Sequence, residues 1–311
     1  MSLRPFEQLA YADVPARPRV PHPWFSLTAR SVRVHTDWFG SFAMRYRVTG
    51  SGPPLLLVHG LMTTGYSWRY AVAQLASEFT VYIPDLVGCG ESDKPARRYP
   101  PEAVAETLGA FVTALSLRGC AAIGNSMGGY LCMHLALQDR SVFSRLVNLH
   151  SPGLATARMV ALRCALKSVP IWERALRAIV QRDPLKWVHR NVHYYDESLK
   201  SQEEHRVYGH PLSTASGFSA FARALEDTLD VRAMRRFERA LRALGESPLP
   251  LQLVYARRDP MVPPSVGARL HALLPDSELV WLDEASHFAH VDATERFLDV
   301  AMPFLLREPG A

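Results

Sequence analysis

Short apolar runs recur along the chain at the spacing of a fold that alternates strands with helices. Five runs have the length and continuous apolar character of strands buried on both faces, at residues 54–58, 79–83, 120–123, 145–149 and 251–255. Stretches of helical length separate several of them, at residues 67–77, 101–117 and 127–138. A strand at 279–282 and a helix from about 293 form the last unit. The pattern predicts an α/β fold with a mostly parallel sheet flanked by helices.

The pattern changes at two places. Residues 26–36 and 42–49 alternate apolar and polar positions on either side of a turn-like segment, which predicts an antiparallel hairpin at the start of the sheet. Between residues 151 and 248, helix-like stretches follow one another without a strand, at 155–168, 171–181 and 218–244. We interpret this second departure as a helical cap inserted into the α/β core.

These observations predict three parts of the chain. Residues 1–24 form an N-terminal arm, which is rich in proline, lacks the apolar segment of a secretory signal and is expected to be extended or disordered. Residues 25–150 and 248–311 form the α/β core, and residues 151–247 form the cap or lid. At 311 residues with 48% hydrophobic side chains, the chain suits one large domain with an insertion.

Composition narrows the classes of protein to which the chain can belong. No uninterrupted run of about 18 apolar residues occurs, so we expect no integral membrane segment. The four cysteines lack C-x-x-C spacing, which favours free thiols in a reducing compartment and therefore a cytoplasmic location. The oligomeric state is left open.

The net charge of +5 is confined to the predicted cap. Residues 151–247 contain sixteen Lys or Arg against eleven Asp or Glu, so the remainder of the chain is neutral. A solvated arginine-rich face explains this excess more simply than a nucleic-acid interface, and no nucleic-acid partner is expected.

The strongest chemical signal is G-N-S-M-G at residues 124–128, between an apolar run and a helical pattern. A sharp turn from strand to helix leaves the hydroxyl of Ser126 exposed at the end of the strand, and flanking glycines avoid clashes with the neighbouring elements. The adjoining helix N-terminus offers the amide of Met127 to a developing oxyanion. A serine nucleophile also needs a base, and a carboxylate that orients the base.

Three motifs together resemble the α/β-hydrolase family over roughly residues 25–306. They are G-N-S-M-G-G from residue 124, H-G at 59–60 and D-L-V-G-C-G-E-S at 85–92. The resemblance implies the chain order serine, acid, histidine, with the acid after the penultimate core strand and the histidine after the last one. Asp259 and His287 occupy those places. Asp283 and Asp292 are the rival acids, and His290 is the rival base.

The resemblance also implies a second oxyanion donor, the amide that follows H-G, which is Leu61 here with Met62 as the alternative. His59 itself is interpreted as a structural loop residue. His189 and His193 are four residues apart, but no general-base glutamate accompanies them, so we expect neither a metal nor a cofactor.

The expected activity is acyl-enzyme hydrolysis of a small carboxylic ester or related acyl substrate. Families with this turn that dehalogenate or open epoxides carry aspartate as nucleophile, which argues against both reactions for Ser126. The motif also resembles hydrolases that cleave carbon–carbon bonds in meta-cleavage products. Those usually carry an H-G-G-G-P-G loop and a tryptophan after the histidine, whereas this chain has H-G-L-M-T-T-G and Phe288. A ligand receptor without turnover is the alternative from another class.

A hydrophobic or aromatic acyl group is favoured because the predicted cap is rich in aromatic residues. The candidate pocket walls are residues near the motifs and in the cap that are equally suited to a core: Met62, Tyr66, Trp68, His150, Trp187, Tyr194 and Phe288.

Overall fold

A mostly parallel sheet forms the centre of the molecule in the computed structural model, which describes residues 4–168 and 172–308. In this part of the chain the sheet has eight strands in the order β1-β2-β4-β3-β5-β6-β7-β8. They are β1 Thr28–Thr36, β2 Gly40–Thr49, β3 Pro54–Val58, β4 Thr80–Pro84, β5 Cys120–Asn125, β6 Phe143–Leu149, β7 Leu251–Ala256 and β8 Glu278–Leu282. Strand β2 pairs antiparallel with β1 and β4, and the remaining pairs are parallel.

Helices connect these strands. In the core they are α1 Val72–Leu75, α2 Pro101–Ala114, α3 Met127–Gln138, α10 Pro264–Leu273, α11 Ala289–Asp292 and α12 Thr294–Leu305. Between β6 and β7 lie α4 Ala157–Ser168, α5 Trp172–Arg182, α6 Pro184–Asn191, α7 Gln202–Ser213, α8 Ala215–Thr228 and α9 Val231–Leu244. Among the described residues, no helix combines the length and the apolar character that a bilayer crossing requires.

Apolar side chains cover both faces of the sheet. Leu56 and Val58 of β3 pack into a cluster on one face, whereas Leu55 and Leu57 pack into a second cluster on the other face. This two-sided burial explains why the parallel strands are mostly apolar in the sequence and do not alternate. The prediction of an α/β fold with a mostly parallel sheet flanked by helices is confirmed.

Several predicted boundaries need correction. The predicted helix 67–77 is a short 3₁₀ turn, Gly65–Trp68, followed by the single turn of α1. The predicted helix 218–244 is interrupted near Asp230, whose side chain accepts a hydrogen bond from the amide of Arg232 and so caps α9. Helices α6, α7 and α10 were not anticipated. Residue 171, where the predicted helix 171–181 begins, lies outside the described residues.

The N-terminal arm packs on the helices between β6 and β7. The amides of Gln202 and Glu203 at the start of α7 donate hydrogen bonds to the carbonyls of Pro15 and Ala16. Farther along the arm, the imidazole of His22 lies 2.9 Å from the carboxylate of Glu203. The arm therefore supplies acceptors for two amides in the first turn of α7, which lack partners within the helix.

Candidate active site

Ser126 lies at the sharp turn from β5 to α3. Its backbone has φ 54° and ψ −121°, a left-handed conformation that a residue with a Cβ rarely adopts. The Ser126 amide donates a hydrogen bond of 2.7 Å to the carbonyl of Leu149 on the neighbouring strand, and its carbonyl accepts from Tyr130 in the first turn of α3. The side chain is partly exposed between two buried neighbours, Asn125 and Met127.

Two glycines make this turn sterically possible. A Cβ on Gly124 would lie 2.5 Å from the backbone nitrogen of Gly129, and a Cβ on Gly128 would lie 2.3 Å from the carbonyl oxygen of Val58. Both contacts involve backbone, which cannot move aside as a side-chain tip can. The turn therefore requires glycine at both positions.

We expect Gly128→Ala to lower stability by on the order of 3 kcal/mol, because the added methyl group must displace β3 or α3. Thermal unfolding followed by circular dichroism measures the loss. Gly109→Ala is the matched control, since a Cβ there would meet a mobile methyl of Leu135 at 3.1 Å. An unfolding midpoint for Gly128→Ala equal to that of the unsubstituted protein would contradict this packing.

His287 and Asp259 form a buried hydrogen-bonded pair. Nδ1 of His287 lies 2.7 Å from Oδ2 of Asp259, and the two side chains are 2% and 0% exposed. The other carboxylate oxygen, Oδ1, accepts hydrogen bonds from the amides of Met261 and Val262. Burial opposes ionisation of the carboxyl group, but the interactions with His287 outweigh it and lower the pKa of Asp259. An ionised Asp259 therefore holds the Nδ1 proton of His287 and leaves Nε2 as the basic nitrogen.

Further hydrogen bonds hold the loop that contains His287 in place. The side-chain amide of Asn125 donates to the carbonyl of His287 at 3.0 Å, so the residue before Ser126 contacts the backbone of the histidine. Asp292 accepts from the amides of Ser286 and Tyr195 through its two oxygens. Asp292 thus anchors the loop, whereas Asp283 is 78% exposed and pairs with Arg257.

The loop after β3 lies directly against Ser126. A Cβ on Gly60 would lie 3.0 Å from Cβ of Ser126, which brings the loop that contains Leu61 and Met62 to the serine turn. Met127, the other sequence-predicted oxyanion donor, is the first residue of α3, where backbone amides lack helical acceptors. Two segments with potential N–H donors therefore flank Ser126.

His59 stabilises this loop. Its Nδ1 lies 2.8 Å from the carbonyl oxygen of Gly60, and its Nε2 accepts a hydrogen bond from the amide of Leu86 at 3.0 Å. Complete burial lowers the pKa of His59 and keeps the ring neutral, as both hydrogen bonds require. Asp85 has a comparable role, because its two oxygens accept from the amides of Gly65 and Glu91.

His150 lies beside the histidine–aspartate pair. Its ring centroid is 5.5 Å from that of His287, and its Nε2 accepts from the amide of Ala256. Burial lowers the pKa of His150 to about 3, so the ring is neutral at physiological pH. His150, Asp259 and His287 place three potential metal-ligand atoms within 4.8 Å of one another. A metal there would have to replace the hydrogen bond between Asp259 and His287, so the donors present fit a proton-transfer pair better than a metal site.

An apolar cavity of about 40 Å³ lies next to the serine turn. Its walls come from the loops after β3 and β4, from α2 and α3, and from α7 and α8. The lining includes Leu61, Met62, Thr64, Val87, Tyr99, Val104, Met127, Leu131, Leu212, Ala220, Phe221, Ala224 and Thr228. Most of these residues were not anticipated, since their apolar spacing on α2, α3 and α8 is that of ordinary core-facing positions.

The other sequence-predicted wall residues lie elsewhere. The hydroxyls of Tyr66 and Tyr194 donate to the carboxylates of Glu203 and Glu204. Trp68 packs on the ring of His290, the rival base, at 4.3 Å between centroids. Trp187 and Phe288 also make ring contacts. The ring of Trp187 packs against Phe221, and the ring of Phe288 packs against Tyr194. Of the seven predicted wall residues, only Met62 lines the apolar cavity. The ring of His150 lies next to that of His287.

The chain belongs to the alpha/beta hydrolase fold family, whose sequence model matches residues 53–294. It is therefore a hydrolase of this family. Haloalkane dehalogenase 2 of Mycobacterium tuberculosis is 29% identical over 274 residues, which cover 83% of this chain and 91% of that protein. Two solved structures share the fold at 21% sequence identity. In both, the matched region covers 89% of this chain and 98% of the chain in the solved structure. They are an epoxide hydrolase with a TM-score of 0.75 and an esterase from Thermogutta terrifontis with a TM-score of 0.70.

Proposed function

We propose that this protein is a serine hydrolase that cleaves carboxylic esters or related acyl compounds through an acyl-enzyme. Ser126 is the nucleophile, His287 the general base and Asp259 the acid that orients it. The observation that carries this proposal is the 2.7 Å pair between Asp259 and His287, tied through Asn125 to a serine held at φ 54°. The amides of Leu61 and Met127 are the proposed oxyanion donors.

The identity of the nucleophile separates this chemistry from dehalogenation and epoxide opening. When a carboxylate displaces halide or opens an epoxide, it forms an alkyl ester, which water then cleaves at the carbonyl carbon. A serine hydroxyl attacking the carbon that bears the halide, or a carbon of the epoxide ring, would form an ether. An ether has no carbonyl group for water to attack. Ser126 therefore supports acyl transfer, in contrast to the reaction for which the mycobacterial relative is named.

The proposed reaction has two halves. Ser126 Oγ attacks the acyl carbon while Nε2 of His287 takes its proton, and the negative oxygen of the tetrahedral intermediate accepts from the two amides. The intermediate expels the alcohol, which receives the proton from His287. Water then attacks the acyl-enzyme and gives a proton to His287. When the second tetrahedral intermediate collapses, His287 returns this proton to Ser126 Oγ and the carboxylic acid leaves.

We further propose that residues 151–247 act as a cap over this site, with an arm at 1–24 and a core at 25–150 and 248–311. Helices α7 and α8 supply one wall of the apolar cavity, through residues that include Leu212 and Phe221. A free volume of about 40 Å³ holds a few water molecules, whereas sites for drug-sized ligands measure about 300 Å³ or more. A bulky hydrophobic acyl group therefore fits only if these helices shift outward or if the group extends beyond this cavity.

A cytoplasmic location is the final part of the proposal. Cys89, Cys120 and Cys132 carry free thiols. Burial raises the pKa of Cys89 and Cys120 to about 12, so both thiols are protonated and unreactive at neutral pH. Reduced, buried cysteines of this kind are typical of proteins in reducing compartments.

A substrate panel tests the proposed reaction. The panel compares nitrophenyl esters from acetate to octanoate, an acyl thioester and a vinylogous diketone acid, each with the native chain and with Ser126→Ala. We expect turnover of at least one ester that depends on Ser126, with a preference set by the apolar acyl chain. Cleavage of the diketone acid alone would replace this proposal with carbon–carbon hydrolysis. Saturable binding without turnover of any of these compounds would replace it with a ligand receptor.

A further inference from the structure

A second, larger cavity lies beside the apolar one. It measures about 480 Å³, is partly open to solvent and is lined mainly by the β1–β2 hairpin, the end of the N-terminal arm and helix α7. Thr64, Gly90 and Pro211 line both cavities, so the two spaces adjoin each other. Neither the proposed acyl transfer nor the triad uses this second space.

The second cavity has an apolar lining contributed by several elements. Its apolar residues include Trp24, Phe25, Ile83, Leu185, Val207 and Pro211. Phe25 is 59% exposed, whereas its neighbour Trp24 is buried. Exposed aromatic surface inside a concavity is a common feature of ligand sites. Trp24 is held beneath it, because the guanidinium of Arg47 stacks 4.9 Å from the indole centroid.

Three arginines and one histidine border this apolar surface. Arg45 and Arg47 are two residues apart on β2, so they project from the same face of the hairpin. On the opposite side, Arg206 and His210 are four residues apart on α7 and share a helical face. All four residues line the cavity.

Cationic charge exceeds anionic charge in the lining. The lining contains four arginines and two acids. The arginines are Arg30, Arg45, Arg47 and Arg206, and the acids are Asp85 and Glu91. Both oxygens of Asp85 already accept backbone hydrogen bonds, and Glu91 is 63% exposed and reaches Arg45 at 4.0 Å. Among the described residues, the side chain of Arg206 makes one hydrogen bond, a long one of 3.3 Å to the carbonyl of Ala16, and Arg206 is exposed. Its guanidinium donors match the oxygens of an anionic group.

We infer that the second cavity binds an amphipathic anion, a small molecule with an apolar body and one oxyanion head group. The body packs on Trp24, Phe25 and Val207, and the head group accepts hydrogen bonds from Arg45 and Arg206. A carboxylate and a phosphate monoester share this chemistry. Binding here does not depend on the reaction at Ser126, since the residues involved are distinct from the catalytic ones.

Calorimetric titration of the Ser126→Ala protein at fixed ionic strength tests this inference. The probes are decanoate, decyl phosphate and uncharged decanol, and the test variant carries Arg45→Gln and Arg206→Gln. We expect saturable binding of at least one anion, with an affinity at least about tenfold above that of decanol. The double variant should lose about tenfold or more of that affinity while its decanol binding is unchanged. The tighter of the two anions identifies the head group.

The matched control is Arg33→Gln, which removes an exposed arginine of the same hairpin that lies outside the lining. It should bind both anions as the Ser126→Ala parent does. The inference is overturned if neither anion binds saturably, if decanol binds as tightly as the anions, or if Arg33→Gln weakens binding as much as the double variant. Because Ser126→Ala is used throughout, these outcomes are independent of whether the native chain hydrolyses esters.

Discussion

Ser126→Ala should lower kcat/KM for ester hydrolysis by about 10³-fold or more while leaving the fold intact. The substitution removes the only atom that forms the acyl bond in the proposed reaction, and the remaining groups can provide only orientation and oxyanion binding. The fold is expected to survive because alanine retains the Cβ that the strained turn at φ 54° already accommodates. Steady-state kinetics on the best ester of the panel measure the effect, with circular dichroism as the check on folding.

Ser151→Ala is the matched control for this prediction. Ser151 is fully buried just after β6, and its hydroxyl has no hydrogen-bond partner among the residues that the structure describes, so its removal should change neither folding nor turnover substantially. Retention of more than about a tenth of the activity in Ser126→Ala would contradict the assignment. Another nucleophile, or direct attack by water, would then have to account for the hydrolysis.

The second large effect is expected for Asp259→Asn, which should reduce kcat by about 10⁴-fold. The amide can still pair with His287, but it donates where the carboxylate accepts, so the wrong imidazole nitrogen would carry the proton. Loss of the negative charge also removes the group that stabilises the imidazolium formed during attack. Stability should change much less, because Oδ1 of the amide can still accept from Met261 and Val262.

Asp283→Asn is the control for the acid. Asp283 follows the last strand and is 78% exposed, so its neutralisation should alter turnover by less than about twofold. A loss in Asp283→Asn equal to that in Asp259→Asn would show that turnover responds to charge in general. Near-normal kcat in Asp259→Asn would remove this residue from the mechanism.

The central sheet could be predicted from the sequence because its physical signal is local. Strands β5 and β7 are buried at every position, and a strand enclosed on both faces is mostly apolar. The serine turn could also be predicted, since the steric demands on Gly124 and Gly128 arise from the turn itself. The sequence also contains a signal for the start of helix α7, the S-x-x-E pattern at residues 201–204. In the structure the Ser201 hydroxyl accepts a hydrogen bond from the amide of Glu204.

The walls of the cavity could not be predicted in the same way. Tyr66 lies a few residues after the H-G motif, but its hydroxyl donates to Glu203, which is 137 residues away in the chain. Tyr194 likewise donates to Glu204, whose other partner is the buried guanidinium of Arg69. Such pairings depend on how helices cross in three dimensions. Residues such as Ala224 and Leu131 line the cavity only because α8 packs opposite α3, and their apolar character fits a core equally well.

Labelling with a fluorophosphonate, followed by peptide mass spectrometry, tests the central claim most directly. The reagent phosphonylates an activated serine and expels fluoride, so the adduct records which hydroxyl the protein activates. We predict one adduct per chain, on the peptide that contains Ser126, formed by the folded native chain and absent after heat denaturation or in Ser126→Ala. An unlabelled Ser126 in a protein that hydrolyses esters, or an adduct of equal extent in Ser126→Ala, would contradict the account.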